Sequence, residues 1–172
     1  MFSVIFCLVL LTLLRAWPRF LAVARNRRSL VLTAVAGVLV YVNWQIFLIG
    51  TLSGNVLETS LGYFINPLFT VLLAVLVLRE RLRITQWIAL GIAGVAVAVI
   101  IVGYGTFPWI ALSLAASFSL YGLVKNRLGP SVDAVSGLTL ETFWLLPIAI
   151  VQLVIVQLTT GLTFGTGPAW HT

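Results

Sequence analysis

The chain has 172 residues, 61% hydrophobic and 8% charged, with ten Lys and Arg against four Asp and Glu for a net charge of +6. A soluble domain carries about 25% charged residues, so this composition excludes a soluble enzyme, a disordered chain and a free nucleic-acid-binding domain. One cysteine, Cys7, and one histidine, His171, leave no disulfide framework, thiolate cluster or His-based zinc site, and no cofactor or metal is expected.

In chain order, apolar runs occupy residues 2–14, 30–50, 57–78, 86–103, 107–124 and 138–158. Crossing a bilayer takes about 20 apolar residues as a helix. The runs are continuous rather than alternating, which favours helices over a membrane β-barrel. The expected fold is all-α, a polytopic transmembrane helix bundle with six spans. The first run stops at Arg15, short of a full span, and no positive charge precedes it as in a signal peptide. It reads as the inside of a longer helix, and the chain as a partial one.

Basic residues alternate with the runs. Arg15, Arg19, Arg25, Arg27 and Arg28 follow the first run, Arg79, Arg81 and Arg83 the third, and Lys125 and Arg127 the fifth. The connectors around 51–56 and 104–106 carry none. The positive-inside rule places loops 15–29, 79–85 and 125–137 in the cytoplasm. The arginines read as topology anchors, with Glu80 as a partner for Arg79 and Arg81. Ala111, Ala115, Ser119 and Gly122 form a small-residue stripe for helix contact, as do Gly94 and Ala98. Pro67 and Pro147 each free a backbone carbonyl within a span.

The second and third spans carry the candidate solute contacts. Asn43 and Trp44 lie towards the outer end of the second span, where Trp serves either as an interface anchor or as a ring for a solute in a cavity. In the third span Glu58, Gly62 and Asn66 fall within about 80° of one helix face. This stripe reads as the lining of a solute pathway, with Gly62 leaving room. Two other roles stay open: Asn55 and Glu58 have the spacing of a capping box, and Asn66 can hydrogen-bond a neighbouring helix.

Three further features read as structural. Glu141 falls in the first turn of the sixth run, where its charge suits the helix dipole; a place on the solute route is the alternative. Trp87 and Trp109 read as interface anchors. Val102-Gly103-Tyr104-Gly105 imitates a potassium filter, but it lies at a helix exit and reads as a turn. The glycines at 161, 165 and 167 lack the lysine of a phosphate loop. With no nucleotide motif, a proton or solute gradient is the expected driving force.

Asn43-Trp44, the run from Leu57-Glu58 through Gly62-Tyr63 to Asn66-Pro67, Leu78-Arg79-Glu80-Arg81, Gln86-Trp87, Tyr121-Gly122 and Glu141 through Trp144 to Pro147 together resemble the RarD-type permeases. These belong to the EamA group of the drug/metabolite transporter superfamily. The resemblance covers nearly the whole chain. It implies a ten-helix fold of two inverted five-helix repeats, of which this chain would hold the second to seventh helices. Residues 1–104 would be the remainder of the first repeat and residues 105–172 the start of the second. It also implies a multi-pass permease of the bacterial cytoplasmic membrane, moving a small organic solute or drug-like metabolite by alternating access. The expected solute contacts are Glu58, Tyr63, Asn66, Asn43 and Trp44. Expected partners are the lipid bilayer, the solute, and either a second copy or the missing half of its own transporter; no nucleic acid is expected. Two rivals remain. A structural or assembly subunit would turn its polar residues towards other helices and have no central cavity. A membrane-embedded enzyme would need clustered acid-base groups, whereas Glu58 and Glu141 lie at opposite ends.

Overall fold

The structure is a computed structural model, which describes residues 2–79, 81–129 and 132–160. These residues form seven α-helices and no strand: α1 (Phe2–Leu13), α2 (Trp17–Arg25), α3 (Arg27–Leu52), α4 (Val56–Leu78), α5 (Ile84–Tyr104), α6 (Trp109–Leu128) and α7 (Ala134–Thr160). Four segments are long and apolar enough to cross a membrane: Arg27–Leu52, Val56–Leu78, Ile84–Gly103 and Ala134–Leu158. The arrangement is that of a multi-pass helical bundle.

The first apolar run and loop 15–29 differ from expectation. Loop 15–29 is largely helical. Arg15 takes a left-handed φ of +49°, the chain turns, and Pro18 opens α2, where its missing N–H is harmless. The helix axes meet at 118°. Trp17, Phe20, Arg19 and Arg25 make α2 an amphipathic segment of the kind that lies along an interface. Asn26 ends it and begins α3, accepting hydrogen bonds at Oδ1 from the N–H groups of Arg28 (3.0 Å) and Ser29 (3.4 Å). That cap starts α3 three residues before the apolar run.

At the centre lies α6, a 20-residue helix about 30 Å long. Its serines and its terminal Lys125 and Arg127 make it less apolar than its neighbours, and α3 and α4 flank it. Ala111, Ala115 and Ser119 are buried, so the expected stripe is a packing face there, although Gly122 has open space beside it. A Cβ on Gly62 would stand 3.1 Å from the Ala111 carbonyl oxygen and 3.0 Å from Leu114 Cβ. Gly62 leaves room for the close approach of α6. Residues 58, 62 and 66 of α4 meet residues 110, 111 and 119 of α6 in that order, so the two helices run parallel. Gly50 of α3 meets Ile110 while Asn43 meets Ser117, so α3 is antiparallel to α6.

α5 touches the core through Val97 and Ile101, packed against Leu61, Ile65, Ala111 and Ala115. The expected contact at Gly94 and Ala98 does not form among the described residues: Gly91, Gly94 and Gly103 have open space where a Cβ would be, and Ala98 is exposed. α5 is helical through Tyr104 and ends at Gly105, φ +75°, which leaves no filter loop at 102–105. Trp87 and Trp109 are exposed near the starts of α5 and α6, as interface anchors would be.

The basic connectors gather at one end of the bundle. Arg19 and Asn26 share a cleft with Gly129 and Asp133, and Leu78, beside Arg79, lies near Asn126. The connector 125–137 is shorter than expected, because α6 continues to Leu128 and α7 starts at Ala134. Asp133 accepts a hydrogen bond at Oδ2 from the Ser136 N–H (3.2 Å) and so caps α7. Glu80, the tail glycines and His171 lie outside the described residues.

Candidate functional site

Three of the five expected contact residues point at α6. Glu58 is 7% exposed, and its Oε1 accepts a hydrogen bond from the Ile110 N–H at 2.7 Å. The capping box with Asn55 does not form, since Asn55 makes no side-chain cap bond. Glu58 instead caps the neighbouring helix. α6 begins at Pro108, which offers no side-chain acceptor, so a carboxylate from α4 meets its orphan N–H and its positive dipole end.

Asn43 is buried in the same manner. Its Nδ2 donates to the Leu114 carbonyl (3.0 Å) and to Ser117 Oγ (2.9 Å). Asn66 Oδ1 accepts from Ser119 Oγ (2.9 Å), which lies 3.1 Å from Thr70 Oγ1. Each of these bonds joins α6 to a flanking helix. In lipid such bonds and close backbone approach replace the hydrophobic force between helices.

Tyr63 and Trp44 are more than half exposed. They are the ends of a ring series, with Phe47 edge-on to Trp44 (centroids 6.0 Å) and to Tyr63 (6.1 Å). Trp44 also lines a cavity of about 760 Å³ with Phe6 and Cys7 of α1, Tyr41 of α3, Tyr121 of α6 and Glu141 of α7. That size falls in the range of about 300–1,000 Å³ usual for small-molecule sites. The walls are mostly apolar and aromatic.

The charged group at this cavity is Glu141. It is 3% exposed and, because Asp133 starts α7 early, it lies two turns into the helix rather than in the first turn. That is about 10 Å along the axis at 1.5 Å per residue. Lys125 Nζ pairs with Glu141 Oε1 at 2.8 Å, and the Tyr121 O–H donates to Oε2 at 3.3 Å. Two glycines make room. A Cβ on Gly37 would be 3.3 Å from the Glu141 carbonyl oxygen, and one on Gly137 would be 3.4 Å from Lys125 Nζ. Further along, the Tyr41 O–H donates to Gln152 Oε1 (3.1 Å), and Gln152 Nε2 to Gln45 Oε1 (3.5 Å). A polar track therefore extends from Glu141 along the α3–α7 seam. No group of metal-ligating side chains occurs among the described residues.

Residues 1–102 match the model of the EamA-like transporter family. The chain belongs to the EamA-like transporter family. Its curated relatives include proteins named RarD and uncharacterized transporters. It is 46% identical over 129 residues to the protein RarD of Streptomyces exfoliatus, covering 75% of this chain and 40% of that one. It is 39% identical over 151 residues to RarD of Escherichia coli K12, covering 88% and 50%. An uncharacterized transporter of Vibrio cholerae is 41% identical over 152 residues, with coverage of 88% and 50%. This EamA chain thus spans about half the length of the curated relatives it matches. No solved structure matches it.

Proposed function

We propose that this chain is part of a permease that moves a small organic solute across the bacterial cytoplasmic membrane by alternating access. The observation that carries the reading is the cavity walled by Tyr41, Trp44, Tyr121 and Glu141. A purely structural subunit accounts for the buried bonds of Asn43, Glu58 and Asn66, but not for an aromatic cavity around a membrane-buried carboxylate. An ionisable side chain within a span marks a solute or ion path by default.

The proposed domain division supports the same reading. With residues 1–104 in the first repeat and 105–172 in the second, the cavity has α1 and α3 on one side and α6 and α7 on the other. Secondary transporters place their solute at such a repeat interface and rock one repeat against the other. The expected contact set is thereby reduced and enlarged. Trp44 stays and Glu141, Tyr41 and Tyr121 join it. Asn43, Glu58 and Asn66 hold α6 in place, and Tyr63 supports Trp44 through Phe47. The basic connectors, gathered at one end, are assigned to the cytoplasm. Either the other half of the transporter or a second copy completes the bundle, with the uncovered face of α5 available to it.

The test is solute flux in membrane vesicles carrying the full-length transporter, over a panel of small aromatic and aliphatic solutes. Flux that depends on expression should be lost in Trp44→Ala at normal membrane level. If flux of every responsive solute survives both Trp44→Ala and Glu141→Gln, the cavity is not the route.

A further inference from the structure

We infer that Glu141 receives the primary ammonium group of an organic solute, and that Lys125 is the group which that solute displaces. The inference rests on the cavity being the solute site, and it names the class of solute.

The pair is asymmetric. The Glu141 side chain is 4% exposed and that of Lys125 is 32% exposed. Glu141 is held two turns inside α7, with Tyr121 on its second oxygen. Lys125 is in the last turn of α6, at the basic end of the bundle. The carboxylate cannot follow its partner to water, but the ammonium can leave on a flexible four-carbon stem. Glu141 and Tyr121 line the cavity, whereas Lys125 reaches the carboxylate from the Gly137 side.

From the cavity a solute meets a carboxylate and the rings of Phe6, Tyr41, Trp44 and Tyr121. Ring faces attract cations. A solute carboxylate would face Glu141 as a like charge. A neutral solute gains nothing from the charge already satisfied by Lys125. An ammonium reproduces what Lys125 Nζ does at 2.8 Å, and its apolar body fills the aromatic walls. Exchange also keeps the buried charge paired, which matters because an unpaired buried ion is strongly destabilising. The empty site is closed by the protein's own lysine, and the loaded site by the solute.

The experiment is equilibrium binding to the full-length transporter in lipid nanodiscs with three probes of similar shape: 2-phenylethylammonium, 2-phenylethanol and 3-phenylpropanoate. The ammonium should bind more tightly than the alcohol by the margin by which its pairing with Glu141 exceeds that of the displaced Lys125, and the propanoate most weakly. With Lys125 removed the margin should reach about tenfold or more, as expected for one hydrogen-bonded charge pair. Glu141→Gln should abolish the ammonium's advantage. Lys125→Met, which removes the competitor, should tighten ammonium binding, and Lys125→Arg, a stronger partner for the carboxylate, should weaken it. Lys125→Arg keeps the buried charge paired, so the test stands even if Glu141→Gln or Lys125→Met does not fold. Equal binding of ammonium and alcohol, tighter ammonium binding in Lys125→Arg, or loss of ammonium binding in a Lys125→Met variant that unfolds with the wild type, overturns the inference. If the alcohol binds and Trp44→Ala removes it while the ammonium has no advantage, the cavity survives and the exchange does not. If none of the probes binds, the exchange fails, and the cavity stands or falls on the flux panel.

Discussion

Removing the carboxylate of Glu58 should unfasten α6 rather than remove a solute contact. Glu58→Ala deletes a charge-assisted hydrogen bond of 2.7 Å to the Ile110 N–H. Hydrogen bonds to charged groups contribute about 1.5–3 kcal/mol, and a carboxylate at a helix N-terminus about 0.3–1 kcal/mol more. The N–H left behind is in the first turn of α6, where no helical carbonyl reaches it. The expected loss is about 2–4 kcal/mol. In a chain of this size, that lowers the unfolding midpoint by about 5–15 °C. Glu58→Gln keeps an acceptor oxygen and loses only the charge, so it should cost about 1 kcal/mol or less. The assay is thermal unfolding in detergent, followed by tryptophan fluorescence and by elution on size exclusion, with solute binding measured on the same samples. The reasoning is refuted if Glu58→Ala unfolds with the wild-type chain, or if a stable Glu58→Gln variant loses solute binding.

Gly62→Val should separate α4 from α6, since even a Cβ would lie 3.1 Å from the Ala111 carbonyl oxygen; overpacking of this kind costs about 1–3 kcal/mol, readable in the same melts. Arg79→Gly should raise stability by about 1 kcal/mol, because Arg79 holds a left-handed φ of +56° at the end of α4; an unchanged or lower midpoint counts against strain there. Gly137→Val should crowd the Lys125 ammonium off Glu141 and mimic Lys125→Met in ammonium binding; binding like wild type would show that the lysine is not held there.

The helices were legible because a spanning run is long, and its apolar character does not depend on its neighbours. The stripe Glu58–Gly62–Asn66 was legible as one face of α4. What it faces was not, since a solute, a cavity and a serine-lined helix all suit a polar stripe. In the structure α6 stands against it, and the role of α6 as the central helix follows from packing across the bundle. The capping box failed for a similar reason: the spacing from Asn55 to Glu58 is local, while the bare N-terminus at Pro108 is 50 residues away. Glu141 stands about one turn deeper in its helix than the sequence places it, because the apolar run starts at Leu138 and α7 at Ala134. Asp133, an N-cap residue just before Ala134, was the signal that could have corrected it. Its pairing with Lys125 had no signal in the sequence, because the pair forms only when α6 and α7 meet.

Solute protection of single cysteines separates the cavity from the α4 face most directly. In a Cys7→Ser background of the full-length transporter, cysteines placed at Thr142, against the cavity wall, and at Tyr63 are labelled with a maleimide in membrane vesicles. A transported solute at saturating concentration should slow labelling at position 142 by tenfold or more and leave position 63 unchanged. Protection at 63 with none at 142 would place the solute on the α4 face and contradict the account.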